Sequence, residues 1–113
     1  MKYALLLYDN PKNWESVDDA QMQSLHKEYM AVSEEPESYG GAQLYPPDTA
    51  KTLRMPNGSL LVTDGPFTET KEIISGLYLV DADSEERALE LAKQIPTLSK
   101  MGGVIEVRQI VER

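Results

Sequence analysis

The sequence contains no cysteine, which removes disulfides, thiolate nucleophiles and cysteine metal sites at once. It has one histidine, His26, and no spaced ligand run such as H-E-x-x-H. Any metal would have to rest on carboxylates, and no metal site is expected. Basic residues are scarce: 11 Lys and Arg stand against 19 Asp and Glu, for a formal net charge of -8. A chain of that sign repels phosphate backbones and anionic bilayers, so neither nucleic acid nor a membrane is an expected partner. Glycine-rich phosphate loops are missing too, since Gly40-Gly41 and Gly102-Gly103 lack the flanking pattern, and no tightly bound cofactor is expected. No apolar run approaches the ~20 residues of a membrane-spanning helix. The apolar start, residues 1–8, meets polar Asp9-Asn10-Pro11-Lys12 with no small-residue cleavage pattern. A first strand in a cytoplasmic protein is expected there, not a signal peptide.

What is present is ordinary globular material. At 113 residues with 41% hydrophobic content, the chain can build one core but not two, so residues 1–113 read as one domain. Met22, Leu25, Tyr29 and Val32 recur at spacings of three and four, which predicts an amphipathic helix over 18–33, with Ser16 as N-cap and Pro36 closing it. A second helix over 84–95 has Ala88, Leu91, Ala92 and Ile95 as its stripe, an Asp83/Glu86 capping box and Pro96 as its stop. Strands are expected at 39–45, 49–55, 59–63, 73–81 and 104–111, with Asn57-Gly58 turning the hairpin between the second and third of these.

The order of strand, helix, strands, helix, strand is that of an α+β, ferredoxin-like split βαβ unit with an inserted hairpin. Both alternating sets are apolar in the strongest strands: Leu5 and Leu7 against Ala4 and Leu6, and Leu77 and Leu79 against Tyr78 and Val80. Both sheet faces are therefore expected to be buried, while two helices can cover only one. A homodimer that joins the uncovered faces follows as an expectation.

Residues 64–72, DGPFTETKE, concentrate turn chemistry and charge. Asp accepts backbone N–H bonds, Gly permits unusual φ and Pro fixes the exit. This stretch closely resembles the signature of the DGPF-domain branch of the YCII-related family. Supporting pieces stand in order along the chain: Met1-Lys2-Tyr3, LYPPDTA at 44–50, SGLY at 75–78 and GVIEVR at 103–108. The resemblance implies a ferredoxin-like fold that dimerises through its sheets into an α/β barrel. Relatives suggest a pocket in which a His and Asp pair performs acid-base or lyase-like chemistry on small, often aromatic, molecules. Some relatives are associated with extracytoplasmic-function sigma factors. The chain departs from the pattern at Pro36-Glu37-Ser38-Tyr39-Gly40-Gly41, where the family continues its first helix, and Tyr29 stands at the position of the catalytic His.

Each candidate residue carries two readings. His26, at i+4 from Met22 and so on or beside the sheet-facing stripe, is either a packed neutral imidazole or a general base oriented by Asp64. Asp64 is a turn former, an acid-base group, or both. Tyr29 either packs with its hydroxyl at the core edge or orients a ligand. Phe67, Glu69, Lys71 and Glu72 form a pocket wall and its charged rim, or a solvated loop. Residues 15–37 carry Glu15, Asp18, Asp19, Glu28, Glu34, Glu35 and Glu37 against Lys27 alone. They form a solvated face or an acidic docking surface for a basic partner. Two functions remain open: a small-molecule-binding protein with acid-base or lyase-like chemistry, and a non-catalytic interaction module such as a sigma-factor accessory.

Overall fold

The computed structural model describes residues 1–68 and 70–113. Strand β1 (Lys2–Asp9) is followed by α1 (Asp19–Ser33), β2 (Ser38–Gln43), β3 (Lys51–Arg54), β4 (Leu61–Asp64), β5 (Ile73–Asp81), α2 (Glu85–Lys93), α3 (Pro96–Ser99) and β6 (Val104–Gln109). Four strands form one antiparallel sheet in the order β2-β5-β1-β6, while β3 and β4 pair separately as a two-stranded ribbon. This α+β arrangement is compatible with a ferredoxin-like fold, the inserted hairpin standing outside the sheet.

Side-chain alternation along β1 decides what faces the helices. Tyr3, Leu5, Leu7 and Asp9 are buried, whereas Lys2, Ala4, Leu6 and Tyr8 are half-buried on the other side. Against the first set pack Val80 of β5, Val32 of α1, and Ala88, Leu91, Ala92 and Ile95, the stripe expected of the second helix. Fully burying one such aliphatic side chain is worth about 1.5–3 kcal/mol. Within one chain the helices cover one sheet face only, as their number leads one to expect. Ala4 and Leu6, opposite Leu79 and Leu77, form a second face that no helix covers among the described residues, and the chain is a slab of 46 × 43 × 18 Å.

Helix ends differ from expectation in instructive ways. Asp18, not Ser16, caps α1: its carboxylate accepts from the Gln21 N–H at 2.8 Å, and the Gln21 side chain accepts from the Asp18 N–H at 2.9 Å. That reciprocal pair satisfies two orphan donors, which a lone Ser16 cannot do. Ser84 caps α2 through the Arg87 N–H, in place of the Asp83/Glu86 box. Pro96 opens α3 instead of only ending α2, because the first turn of a helix needs no N–H from its leading residue. The ribbon turns at Asn57 (φ 54°) and Gly58 (φ 81°), the two positive-φ positions that an Asn-Gly hairpin requires.

One ion cluster ties the helical layer to the sheet. Arg87 bonds Glu37 at 2.5 Å, Glu35 at 3.2 Å and Glu90 at 3.3 Å, joining α2 to the segment between α1 and β2. The Arg87 guanidinium holds the Glu37 carboxyl below the ordinary carboxylate range. Glu28 is paired as well, with Lys100 at 2.7 Å.

Candidate functional site

The residues singled out from the sequence fall into two separate places. Asp64 ends β4, is exposed, and pairs across the ribbon with the Lys51 ammonium. Its turn is tied down by Gly65 N–H to the Ala50 carbonyl at 2.7 Å and by the Thr52 hydroxyl to the Gly65 carbonyl at 2.7 Å. Phe67 is 73% exposed, and its carbonyl accepts from Arg54 at 3.3 Å. Lys71 and Glu72 are exposed, and Glu69 lies outside the described residues. On α1, His26 is exposed instead of facing the sheet. Leu25 and Val32 are buried and Tyr29 half-buried, so His26 stands about 100° round the helix from Leu25, on the solvent side with Met22. Among the described residues no hydrogen bond joins Asp64 to His26 or Tyr29.

Two surface grooves lie away from the DGPF segment. One, of about 520 Å³, runs between Lys12, Asn13 and Ser16 on one wall and Lys100, Met101 and Gly102 on the other. The second, of about 210 Å³, continues along α1 past Ser24, Leu25 and Glu28. The Asn13 amide bridges the walls by donating to the Met101 carbonyl at 2.9 Å.

Beside these grooves sits a polar cluster that sequence reasoning missed. Asp9 is 6% exposed at the end of β1, and Thr97 beside it is fully buried. The Asp9 carboxylate accepts from Trp14 Nε1 at 3.2 Å, from the Ser75 hydroxyl, and from the Thr97 hydroxyl at 3.5 Å. Thr97 Oγ1 in turn lies 2.7 Å from Tyr29 Oη. Five elements meet here, each for a local reason. Alternation brings Asp9 to the helix face. A bulge in β5, where Leu7 pairs with Gly76 but Tyr8 with Ile74, leaves Ser75 unpaired and turned toward Asp9. Pro96 starts the turn that carries Thr97. Gly103 lets the chain close over it, because a Cβ there would lie 2.7 Å from Thr97 Cγ2 and 2.5 Å from the Tyr8 carbonyl oxygen.

Tyr29 is fixed on every side. Its ring stacks on Trp14 with centroids 6.3 Å apart, and its carbonyl accepts from Tyr78 Oη at 2.8 Å. Burial pushes the Tyr29 phenol up to about 12, against the opposing pull of its bond to Thr97. Burial pushes Tyr78 to about 12 also, helped by the neighbouring Tyr29. Among the described residues Asp9 has no cation within ion-pair distance, so its charge is met by hydrogen-bond donors alone. Among the described residues no three acidic or histidine side chains gather closely enough to hold a metal ion.

The comparisons with known proteins give a family and no activity. The chain is 32% identical over 114 residues to an uncharacterised protein of Rhizobium meliloti (strain 1021), covering 97% of this chain and 92% of that one. Residues 1–113 match the YCII-related domain, and the chain belongs to that family.

Proposed function

We propose that the protein binds a small organic molecule and works as a homodimer joined through its open sheet faces, the two copies closing a dimeric α/β barrel. The observation that carries this reading is the uncovered apolar face of Ala4, Leu6, Leu77 and Leu79 beside a ribbon whose Leu53, Met55, Leu60, Val62 and Phe67 are all more than half exposed. One chain leaves the DGPF segment open to solvent, and a second copy turns the same surface into an enclosed space. Proton transfer by Asp64 and His26, with Tyr29, Phe67, Glu69, Lys71 and Glu72 lining the pocket, requires that space, since within one chain the pair shares no hydrogen bond.

Two measurements test the proposal. Light scattering at micromolar concentration should give the mass of two chains, and the mass of one chain refutes the dimer. A thermal-shift metabolite screen on wild type and Asp64→Ala should give hits that the variant loses, because a bound ligand stabilises the native state by mass action. Glu15, Asp19 and Glu34, exposed and without ion pairs among the described residues, favour a second reading, an interaction module that docks a basic partner such as a sigma factor. Glu28, Glu35 and Glu37, already paired within the chain, weaken that surface. A silent metabolite screen together with a salt-sensitive protein partner would select it.

A further inference from the structure

The larger of the two grooves is walled by hydrogen-bond donors. Its walls are stitched together by the Asn13 amide bond to the Met101 carbonyl, and Gly102 (φ 67°) gives that contact room, since a Cβ there would lie 3.3 Å from Asn13 Nδ2. Asn10 fixes the turn that carries Lys12 and Asn13, its side chain accepting from the Lys12 N–H at 3.1 Å. Gln21 spends its side-chain oxygen on the Asp18 N–H at 2.9 Å, which leaves Nε2 as its free end. Lys12 and Ser16 are exposed, and among the described residues neither the ammonium nor the hydroxyl has a partner. The lining thus offers Lys12 Nζ, Lys100 Nζ, Gln21 Nε2 and the Ser16 hydroxyl, and among the described residues no carboxylate. That reverses the balance of a chain with 19 acidic residues to 11 basic ones. Glu28 reaches Lys100 from the adjoining groove at 2.7 Å, so the uncompensated charge in the larger groove is that of Lys12.

We infer that this groove, between the β1–α1 segment and the turn after α3, is a binding site for a small hydroxylated organic anion, a carboxylic acid or a phosphate ester, with its anionic head on the Lys12 ammonium and its body held by Ser16 and Gln21. At about 520 Å³ the groove is far roomier than a single inorganic ion needs and has the size of a small-molecule site. An ammonium is a compact point charge that suits either head group, and a charge-assisted hydrogen bond is roughly twice as strong as a neutral one, so the head group sets the affinity. The groove belongs to the helix side of the sheet, and joining two open sheet faces leaves it accessible. No residue of the DGPF segment takes part, so the inference goes beyond the reading above and stands apart from it.

Glycerol, glycerate and glycerol phosphate share one hydroxylated body and differ in the head group. The test is titration of each into isotope-labelled protein at low salt, followed by amide NMR. Amide resonances of residues 12–21 and 100–102 should shift saturably with one or both anions, at least about tenfold more tightly than with glycerol, the scale of one charge-assisted hydrogen bond. The anion that binds more tightly assigns the head group. Lys12→Gln should abolish the preference over glycerol and Lys12→Arg should keep most of it, whereas Lys93→Ala, which removes an exposed lysine of α2, should change nothing. Lys12 is exposed, so neither of its variants disturbs the core. Glycerol binding as tightly as both anions, shifts that do not saturate or that spread over lysines outside the groove, or a preference that survives Lys12→Gln overturns the inference. Hits lost by Asp64→Ala in the metabolite screen would then still support the first reading, whereas a silent screen removes that reading and leaves the groove standing.

Discussion

The body of the molecule and its ribbon both carry aliphatic side chains on their strands, yet these live in different environments. Leu5 and Val80 of the main sheet are 0% exposed, while Leu53 and Val62 of the ribbon are 61% and 52% exposed. Strand propensity cannot account for the contrast. What differs is the presence of a second layer: α1, α2 and α3 cover one face of the sheet, and among the described residues nothing covers the ribbon. A two-stranded hairpin with no packed face is marginal by itself, so the ribbon's shape is held by its turn, its ladder and the bonds around Gly65. The two candidate sites divide along the same line, with Asp9 inside the body and Asp64 on the ribbon.

The largest expected effect that tests this contrast is in the core. Leu91→Ala should cost about 2–5 kcal/mol by chemical denaturation, since it empties a fully buried position. Leu53→Ala should cost no more than about 0.5 kcal/mol at concentrations where the chain is monomeric. A loss of about 2 kcal/mol from Leu53→Ala would show the ribbon to be packed and end the comparison.

Next comes the body's polar cluster. Asp9→Ala strands the donors of Trp14, Ser75 and Thr97 and should cost about 1–3 kcal/mol or more in the same assay. Gly103→Ala should cost about 1–3 kcal/mol, because its Cβ would press on Thr97 and the Tyr8 carbonyl.

Alkaline pH should reach the body before the ribbon. In the unfolded chain Tyr29 and Tyr78 ionise near 10.0, but in the folded protein only near about 12, so the unfolded state releases its protons first. Their contribution is complete below the unfolded value and declines as pH rises toward the folded one. Urea midpoints at about pH 9 and about pH 11 should therefore fall in that order. The smallest effect belongs to the ribbon: Asp64→Ala removes an exposed ion pair and should change stability by at most about 0.5 kcal/mol. A larger loss would mean that the Asp64 turn carries more of the fold than its exposure implies.

Much of this division was legible in the sequence. Apolar runs found β1 and β5, spacing found the buried stripe of α2, and Asn57-Gly58 found the ribbon turn, because each is a local signal that tertiary packing then reinforced. His26 was misplaced because a stripe of three- and four-residue steps does not fix which flank faces the sheet, and Leu25 took the inner position. Asp9 was grouped with the turn that follows it, although Tyr3, Leu5 and Leu7 place the next odd residue on the core face. Its partners could not be read, since Trp14, Ser75 and Thr97 converge only through tertiary contacts and a one-residue bulge.

That bulge also shifts the phase of β5. From Val80 to Gly76 the even-numbered residues of β5 share the helix face, but beyond Ser75 it is Ile73, opposite Asp9, that does so. The first residues of β5 thus stand with their inner and outer positions exchanged relative to the rest of the strand. Deleting Ser75 would remove its hydroxyl from Asp9 and leave an uninterrupted ladder in which Ile74 still stands opposite Tyr8 and Ile73 opposite Asp9. The extra residue thus keeps Ile73, not Ile74, on the helix face while its own hydroxyl serves the buried Asp9 carboxylate.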